Sequence, residues 1–294
     1  MNLKKIGVVG VLAVLLLSSF ALTGCGAKDV ETPETPAGEP VVEELEGTIN
    51  VQGSDTMLNV GTAWSEAFMD ANPGVEVSVQ GGGSGTGIAS LINGTVDFAN
   101  ASRDIKDEEI TEAEAKGIAP VEHKVAIDGI AVVVNPANGV EALTIDQLGK
   151  IYRGEITNWK DVGGVDKQIV LLSRDSSSGT YEYFKEEVVG KDAEYAQAAK
   201  LLPSTQAIVD ETKANDAAIG YVGLGYLTPD VKVVAIDGVK ASIETAADGS
   251  YPISRFLYMY SNGEPTGVMA AYLAWILSAD GQAVVADEGF VPLP

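Results

Sequence analysis

The sequence predicts an α/β fold in which largely buried sheets are flanked by helices. From residue 47 onward, short β-rich runs alternate with helical patterns, and Gly, Asn, Asp and Pro occupy the connections. Such alternation is typical of α/β architecture. The chain is 46% hydrophobic, which excludes a disordered protein. The alternating part, about 245 residues, fits two domains better than one.

The individual elements follow from runs of β-branched and aromatic residues and from apolar positions at helical spacing. Val60, Trp64 and Phe68 fall on one face of the first predicted helix, and further helices are predicted over 143–152 and 265–286. Strands are predicted at residues 48–52, 75–80, 96–100, 129–135, 169–173, 218–222 and 231–236. No internal repeat is visible, which argues against a solenoid.

The charge balance is strongly acidic. Acidic side chains outnumber basic ones 42 to 19, and the formal net charge is −23. The resulting field repels nucleic acid, so a nucleic-acid partner is not expected.

The N-terminus has the pattern of an export signal. Two lysines precede an apolar stretch over 6–17, which is short for a bilayer span, and the segment ends in "LTGC" at Cys25. This ending resembles the lipobox of bacterial lipoproteins, in which the signal is cut before a cysteine that becomes lipid-modified. We therefore predict a signal peptide over 1–24 and a lipidated Cys25. Residues 25–46 are rich in Pro, Glu and Thr and predict a disordered acidic tether.

Three turns share one pattern: a β-rich run, then Ser, Thr and Gly, then a helical pattern. A helix N-terminus presents unpaired N–H groups, and glycine lets an anion approach the backbone closely. One such turn is more often a simple helix cap than a ligand site, but three of them, one with Arg174 before its serine, favour an oxyanion site. The turns carry Ser54, Asp55 and Thr56; Ser84 and Thr86; and Ser178, Gly179 and Thr180.

The residues that nucleophilic catalysis, a disulfide or a metal site would require are largely missing from the sequence. A nucleophilic Ser178 would need a base, and His123, the single histidine, lies beside a strand-like run where a structural or surface role fits better. Cys25 is the single cysteine, so neither an intrachain disulfide nor a transition-metal cluster is supported. No calcium-loop motif occurs either. We therefore expect no metal, no cofactor and no enzymatic activity.

Five segments of the chain, taken together and in order, carry a family resemblance. They are "GSDTM" (53–57), "GGGSGTGIASLINGTVDFANASR" (81–103), "IYRGEITNWKDVGG" (151–164), "SRDSSSGTYEYF" (173–184) and "AIGYVGLGY" (218–226). They resemble the phosphate-binding lipoproteins of the bacterial phosphate ABC importer. The resemblance runs from about Gly47 to the C-terminus and implies a two-lobed periplasmic-binding-protein clamshell of type II, with mixed sheets and two hinge crossings. Lobe one is expected at 47–131 plus 257–294, and lobe two at 132–256.

The resemblance also implies the phosphate ligands. Asp175 or a nearby acid would hold the arginine of the site in position. Some members carry an aspartate that accepts the proton of hydrogen phosphate at the position of Arg103, and arginine is a donor only. Asp55 is then a candidate acceptor, while Arg103 forms either a surface or lobe-closing salt bridge or a ligand contact. The implied ligands are Thr56, Met57, Ser84, Arg174, Ser178, Gly179 and Thr180.

The function implied is that of an extracytoplasmic receptor, held by lipid on the outer face of the cytoplasmic membrane. It would bind inorganic phosphate between its lobes, as a monomer, and deliver it to the membrane permease of an ABC importer. Two alternatives remain: a receptor for another oxyanion such as sulfate or molybdate, and a phosphate-handling hydrolase or phosphate-sensing adhesin on the same scaffold.

Overall fold

A nine-stranded sheet and a two-stranded sheet form the framework of the computed structural model, which describes residues 44–294. The predicted signal peptide, Cys25 and nearly all of the predicted tether lie outside these residues. The strands are β1 (Gly47–Gly53), β2 (Val75–Gln80), β3 (Phe98–Ala101), β4 (Pro120–Val134), β5 (Ala142–Leu143), β6 (Val170–Arg174), β7 (Lys200–Leu202), β8 (Ala218–Gly223), β9 (Lys232–Val233), β10 (Ala235–Ile236) and β11 (Ser254–Asn262).

Helices flank the large sheet and carry most of its connections. Three short 3-10 turns, at Asp55–Met57, Trp159–Val162 and Leu224–Tyr226, and one π-helical turn, Lys185–Val189, supplement them. The helices are α1 (Leu58–Ala71), α2 (Ser84–Ile92), α3 (Asp107–Ala115), α4 (Ile145–Tyr152), α5 (Gly179–Phe184), α6 (Thr205–Ala214), α7 (Ile243–Ala247), α8 (Gly267–Ile276) and α9 (Ala279–Asp287).

The large sheet has two parallel ends joined by an antiparallel centre. Its order is β2-β1-β3-β11-β4-β8-β6-β7, with β9 also pairing with β4. The β2-β1-β3 end and the β8-β6-β7 end are parallel, whereas β11 and β4 run antiparallel to each other and to their outer neighbours. The fold is therefore α/β with mixed strand directions, as the sequence predicts.

Buried apolar side chains divide into two large clusters and one small one. The first packs on β6, β8 and the C-terminal half of β4, and the second packs on β1, β2 and the N-terminal half of β4. The small cluster lies between α2 and β3. Because β4 contributes Val125 and Ala126 to the second cluster and 130–134 to the first, one strand is shared by both cores.

The predicted face of α1 is confirmed. Val60, Trp64 and Phe68 are all buried, and the indole Nε1 of Trp64 donates to the carbonyl of Gly281 at 2.8 Å. This contact joins α1 to α9, and both helices pack in the second cluster.

Two predicted elements are each divided in the structure. The strand predicted over 231–236 becomes β9 and β10, because the chain leaves its partner β4 at Val234 and pairs with β5 instead. The helix predicted over 265–286 becomes α8 and α9, which bend by 58° where Ser278 caps the second helix.

Among the described residues no single helix is long and apolar enough to cross a membrane. The bent pair of α8 and α9 meets the length and composition requirement only when the two helices are counted together.

A glycine inside α2 sets how closely that helix lies on the sheet. A Cβ on Gly87 would overlap the carbonyl oxygen of Gln52 and lie 2.6 Å from the Cα of Gly53, and both are backbone atoms that cannot turn aside. The close approach places the N-terminus of α2 beside the end of β1.

We expect Gly87→Ala to destabilise the protein by about 1–3 kcal/mol through overpacking, although alanine favours helix formation. Gly139→Ala is the matched control, because a Cβ there meets nothing within 4 Å and φ is not positive. Urea unfolding monitored by tryptophan fluorescence measures both changes. Equal stability of the two variants would show that α2 does not need this close approach.

Candidate functional site

The first turn follows β1 and opens α1. The chain leaves the strand at Gly53, where the amide of Ser54 donates to the carbonyl of Asn100 at 2.8 Å, and a short 3-10 turn of 55–57 leads into the helix. Thr56 is 1% exposed and Met57 is fully buried. The hydroxyl of Tyr226 stabilises this turn by donating to the carbonyl of Asp55 at 2.6 Å. Burial raises the pKa of Tyr226 to about 12, so this donor keeps its proton.

The second turn lies directly against the first. Gly83 has φ 91° and donates its amide to the carbonyl of Gly53 at 2.9 Å, after which α2 begins at Ser84. The Ser84 hydroxyl accepts from the amide of Ser102 at 3.0 Å and lies 3.3 Å from its hydroxyl. Ser84 and Thr86 therefore lie within the first turn of α2, not before it as caps.

The third turn follows β6 and closes on the other two. Ser178 caps α5 by accepting from the amide of Tyr181 at 3.4 Å. The carbonyl of Ser177 accepts from the amide of Gly85 at 3.0 Å. A Cβ on Gly179 would overlap the side chains of Ser84 and Ser102, so only glycine fits where the two turns meet.

Hydroxyl groups from the three turns form one buried cluster. The Thr56 and Thr180 hydroxyls lie 2.7 Å apart, although 124 residues separate them in the chain. Ser54 donates to Ser102 at 2.9 Å, and Ser102 lies 3.5 Å from the hydroxyl of Thr180. Each of these residues is 3% exposed or less. The structure thus brings together residues from both large cores, and their hydroxyls together with nearby helix-start amides provide the donors that an oxyanion requires.

Arg174 lies at the edge of this cluster, and its guanidinium makes four hydrogen bonds with its five N–H donors. Its side chain is 1% exposed and pairs with the Asp55 carboxylate at 2.8 Å. Nη1 donates to the Thr205 hydroxyl at 2.8 Å, and other nitrogens donate to the carbonyls of Leu202 and Pro203. The partner acid is therefore Asp55 from the first turn. The Asp175 carboxylate instead accepts from the amide and the hydroxyl of Ser177.

Arg103 forms a two-point ion pair with Glu109, at 2.7 and 2.8 Å. Burial opposes ionisation of Glu109, but hydrogen bonds from Arg103 and the Lys106 amide outweigh it, so the pKa of Glu109 is lowered. Arg103 also borders a cavity of about 440 Å³ whose wall includes Lys106 and Glu182, themselves an ion pair at 2.8 Å. The salt bridge that Arg103 makes is largely buried and lies within 47–131, so it is neither a surface pair nor a lobe-closing one, and ligand contact by Arg103 stays a prediction.

A second buried ion pair lies beneath the hydroxyl cluster, and sequence reasoning missed it. Arg255 on β11 and Asp128 on β4 pair at 2.9 Å, and their side chains are 2% and 0% exposed. Burial raises the pKa of Asp128 and lowers that of Arg255, because the loss of water outweighs their mutual attraction. The available signal was a charged residue within an apolar run of each strand: Asp128 in "VAIDGIAVVV" of β4 and, with the opposite sign, Arg255 before "FLYMY" of β11.

The described residues offer little for metal or nucleophilic chemistry. No group of three or more His, Cys, Asp or Glu side chains within 44–294 is arranged to hold a metal ion. His123 hydrogen bonds to the hydroxyl of Ser261 on β11 at 2.8 Å and not to a serine of the three turns. The chemistry that the cluster supports is hydrogen-bond donation to an anion.

The sequence matches one protein family over most of its length. Residues 34–280 match the family described as PBP superfamily domain. The phosphate-binding protein PstS of Bacillus subtilis is 34% identical over 296 residues, covering 100% of this chain and 95% of the relative. The PstS of Pseudomonas aeruginosa is 33% identical and covers 94% of this chain and 93% of that protein.

Solved structures agree with the sequence matches. A Clostridium perfringens crystal structure, assigned as a phosphate ABC transporter substrate-binding protein and containing bound phosphate, superposes with a TM-score of 0.80 at 34% identity. The match covers 84% of this chain and 100% of that one. An ABC-type phosphate transport receptor from Vibrio cholerae gives a TM-score of 0.70 at 28% identity, with the same coverage.

Proposed function

Because the chain belongs to the PBP superfamily and, within it, to the phosphate-binding protein family, we propose that it is the substrate-binding receptor of a phosphate ABC importer. It has the two-lobed fold of that family, and it binds inorganic phosphate and hands it to a membrane permease. The observation that carries the assignment within this molecule is the meeting of three hydroxyl-bearing turns from both cores in one buried cluster.

Phosphate is held by donors from all three turns. Thr56 and Met57 supply a hydroxyl and an amide from the first turn, and Ser84 supplies a hydroxyl from the second. Ser178, Gly179 and Thr180 supply hydroxyl and amide donors at the start of α5. Hydroxyls and amides aimed at one point in a dry cleft bind an oxyanion strongly, because a low dielectric strengthens each hydrogen bond.

Arg174 offsets part of the phosphate charge. Its guanidinium is fixed by Asp55 and by the Thr205 hydroxyl, so it needs little reorganisation to face an anion. The global charge of −23 does not oppose this role, since salt screens distant carboxylates whereas the buried donors act at contact distance.

Asp55 and Arg103 have different roles around the anion. Asp55 accepts from Arg174 with one carboxylate oxygen and from the amide of Gly82 with the other, at 2.8 and 3.2 Å, and it retains lone pairs for a proton of phosphate. Arg103 is held by Glu109 and lies beside the second turn, where a Cβ on Gly85 would be 3.8 Å from its Nη2. We assign phosphate contact to Asp55 ahead of Arg103.

We assign one large core to each lobe, with lobe one at 47–131 plus 257–294 and lobe two at 132–256; Ile130, Ala131 and Val291 of lobe one pack on the core of lobe two, where the lobes join. The chain crosses between them on β4 and β11, which are the natural hinge for closure over the ligand. The protein acts as a monomer that docks on its permease in the closed form.

Other assignments predict different measurements. A receptor for sulfate or molybdate would retain the fold and change only the preferred ligand. A hydrolase would release product from a chromogenic phosphomonoester, with or without added divalent metal, and we expect no turnover in that assay. An adhesin would bind a surface partner without any need for a permease.

Titration calorimetry of the refolded, phosphate-free protein tests the ligand directly. We expect tight binding of phosphate and about five- to 150-fold weaker binding of sulfate, since an acceptor left facing an oxyanion that has no proton costs about 1–3 kcal/mol. Equal affinity for the two anions would contradict the assignment of phosphate.

Replacing Arg174 with alanine should weaken phosphate binding by about 2–5 kcal/mol, because buried ligand charge loses its partner. Arg153→Ala is the matched control: this arginine pairs with Glu155 on the surface and should leave the affinity unchanged. The same calorimetric titration compares the two. An undiminished affinity in Arg174→Ala would remove this residue from the site.

Lipid anchoring on Cys25 places the receptor on the outer face of the cytoplasmic membrane. In a bacterial host that processes lipoproteins, we expect the wild-type chain in the membrane fraction and Cys25→Ser in the soluble fraction after cell disruption. Immunoblotting of the two fractions measures this. Membrane retention of the serine variant would mean that something other than this cysteine anchors the protein.

A further inference from the structure

The buried pair of Asp128 and Arg255 occupies a particular position in the sheet. The two residues are direct register partners on β4 and β11. Directly beyond them, from Ile130 onward, β4 leaves β11 and pairs with β8. The pair therefore lies at the junction between the two halves of the sheet, where the two cores meet.

Arg255 reaches both halves from this junction. Its Nη1 donates to the carbonyl of Ser102 at 2.6 Å, and its Nη2 donates to the hydroxyl of Thr180 at 2.9 Å. Asp128 accepts from Nε and Nη2 through one oxygen and from the amide of Leu224 through the other, at 2.9 Å. One guanidinium thus contacts a turn from each core, and its carboxylate partner is itself fixed.

The direction of the bond to Thr180 has a chemical consequence. A guanidinium has no acceptor, so the Thr180 oxygen must accept from Arg255. The hydroxyl hydrogen of Thr180 must then point elsewhere, and its next neighbour is the Thr56 hydroxyl at 2.7 Å, within the predicted anion cluster. The Ser102 hydroxyl lies on the same side at 3.5 Å, so the bond from Arg255 leaves the hydroxyl cluster as the side toward which Thr180 donates.

We propose that Arg255 is a positioning residue of the anion site, which turns the Thr180 hydroxyl toward the bound anion as a donor and is itself held by Asp128. The proposal rests on the proposed function, because it concerns the same anion. It assigns no direct contact between Arg255 and the ligand: the arginine acts through Thr180, and its bond to the Ser102 carbonyl helps to fix its own position.

A purely structural role for the pair is the competing explanation. A buried ion pair contributes little net stability, because the cost of desolvating the two charges offsets most of their attraction. Stability alone therefore does not explain why Asp128 and Arg255 are buried here. A structural pair would influence phosphate binding whether or not Thr180 carried a hydroxyl. A positioning residue would influence it only through that hydroxyl.

A double-mutant cycle separates these explanations. The first change is Arg255→Met combined with Asp128→Asn, which avoids leaving a buried carboxylate unpaired, and the second is Thr180→Val, which removes the hydroxyl at nearly constant shape. In the background with Thr180 intact, we expect the paired change to weaken phosphate binding about tenfold or more, as the loss of a charge-assisted hydrogen bond implies. In the Thr180→Val background the same change should cost less than about threefold. Thr180→Ser retains the hydroxyl and should restore the larger loss.

An equal loss in both backgrounds would overturn the proposal. Near-ultraviolet circular dichroism and thermal unfolding check that every variant is folded. If the paired change does not fold, Arg255→Lys replaces it, since lysine keeps the charge but loses the guanidinium fork. Its effect on phosphate binding is then compared between the Thr180 and Thr180→Val backgrounds in the same way. Failure of the wild-type protein to bind phosphate would reject the proposed function instead, so the two failures are distinguishable.

Discussion

The antiparallel pairing of β4 with β11 is the constraint on which the rest of the molecule depends. Each end of the large sheet is a parallel set of strands that could stand as a sheet of its own, and these two central strands join them. The N-terminal half of β4 pairs with β11 and its C-terminal half pairs with β8, so both cores are built on one continuous strand. The turns at the strand ends of the two halves consequently face each other, and their hydroxyls meet.

The site reconciles an acidic protein with an anionic ligand by pairing its cations. Arg174 is balanced by Asp55, and Arg255 is balanced by Asp128, so neither arginine is an isolated buried charge. What the cluster then presents to an anion is a set of oriented N–H and O–H dipoles with modest local charge. Such donors act at short range and in fixed directions, which selects for the shape and protonation of an oxyanion more than for its charge.

How much the sequence predicts varies with the range of the interaction. The buried face of α1 and the existence of most strands follow from local periodicity, and the structure agrees. The pairing of Arg174 with Asp55 did not follow, because 119 residues separate them and the nearer Asp175 was the expected partner. The sequence also did not predict that the helix over 265–286 divides in two, because the bend depends on packing and on the cap at Ser278.

By itself the sequence determined the α/β class, the three turns of Ser, Thr and Gly, and the family, because each of these depends on residues that are close together in the chain. Only the tertiary structure decided which hydroxyls meet, which acid holds each arginine, and that Arg255 and Asp128 belong beside the site. The physical reason is that a buried polar group must find a partner within hydrogen-bond distance, and the folded sheet, not the spacing along the chain, decides which groups lie that close.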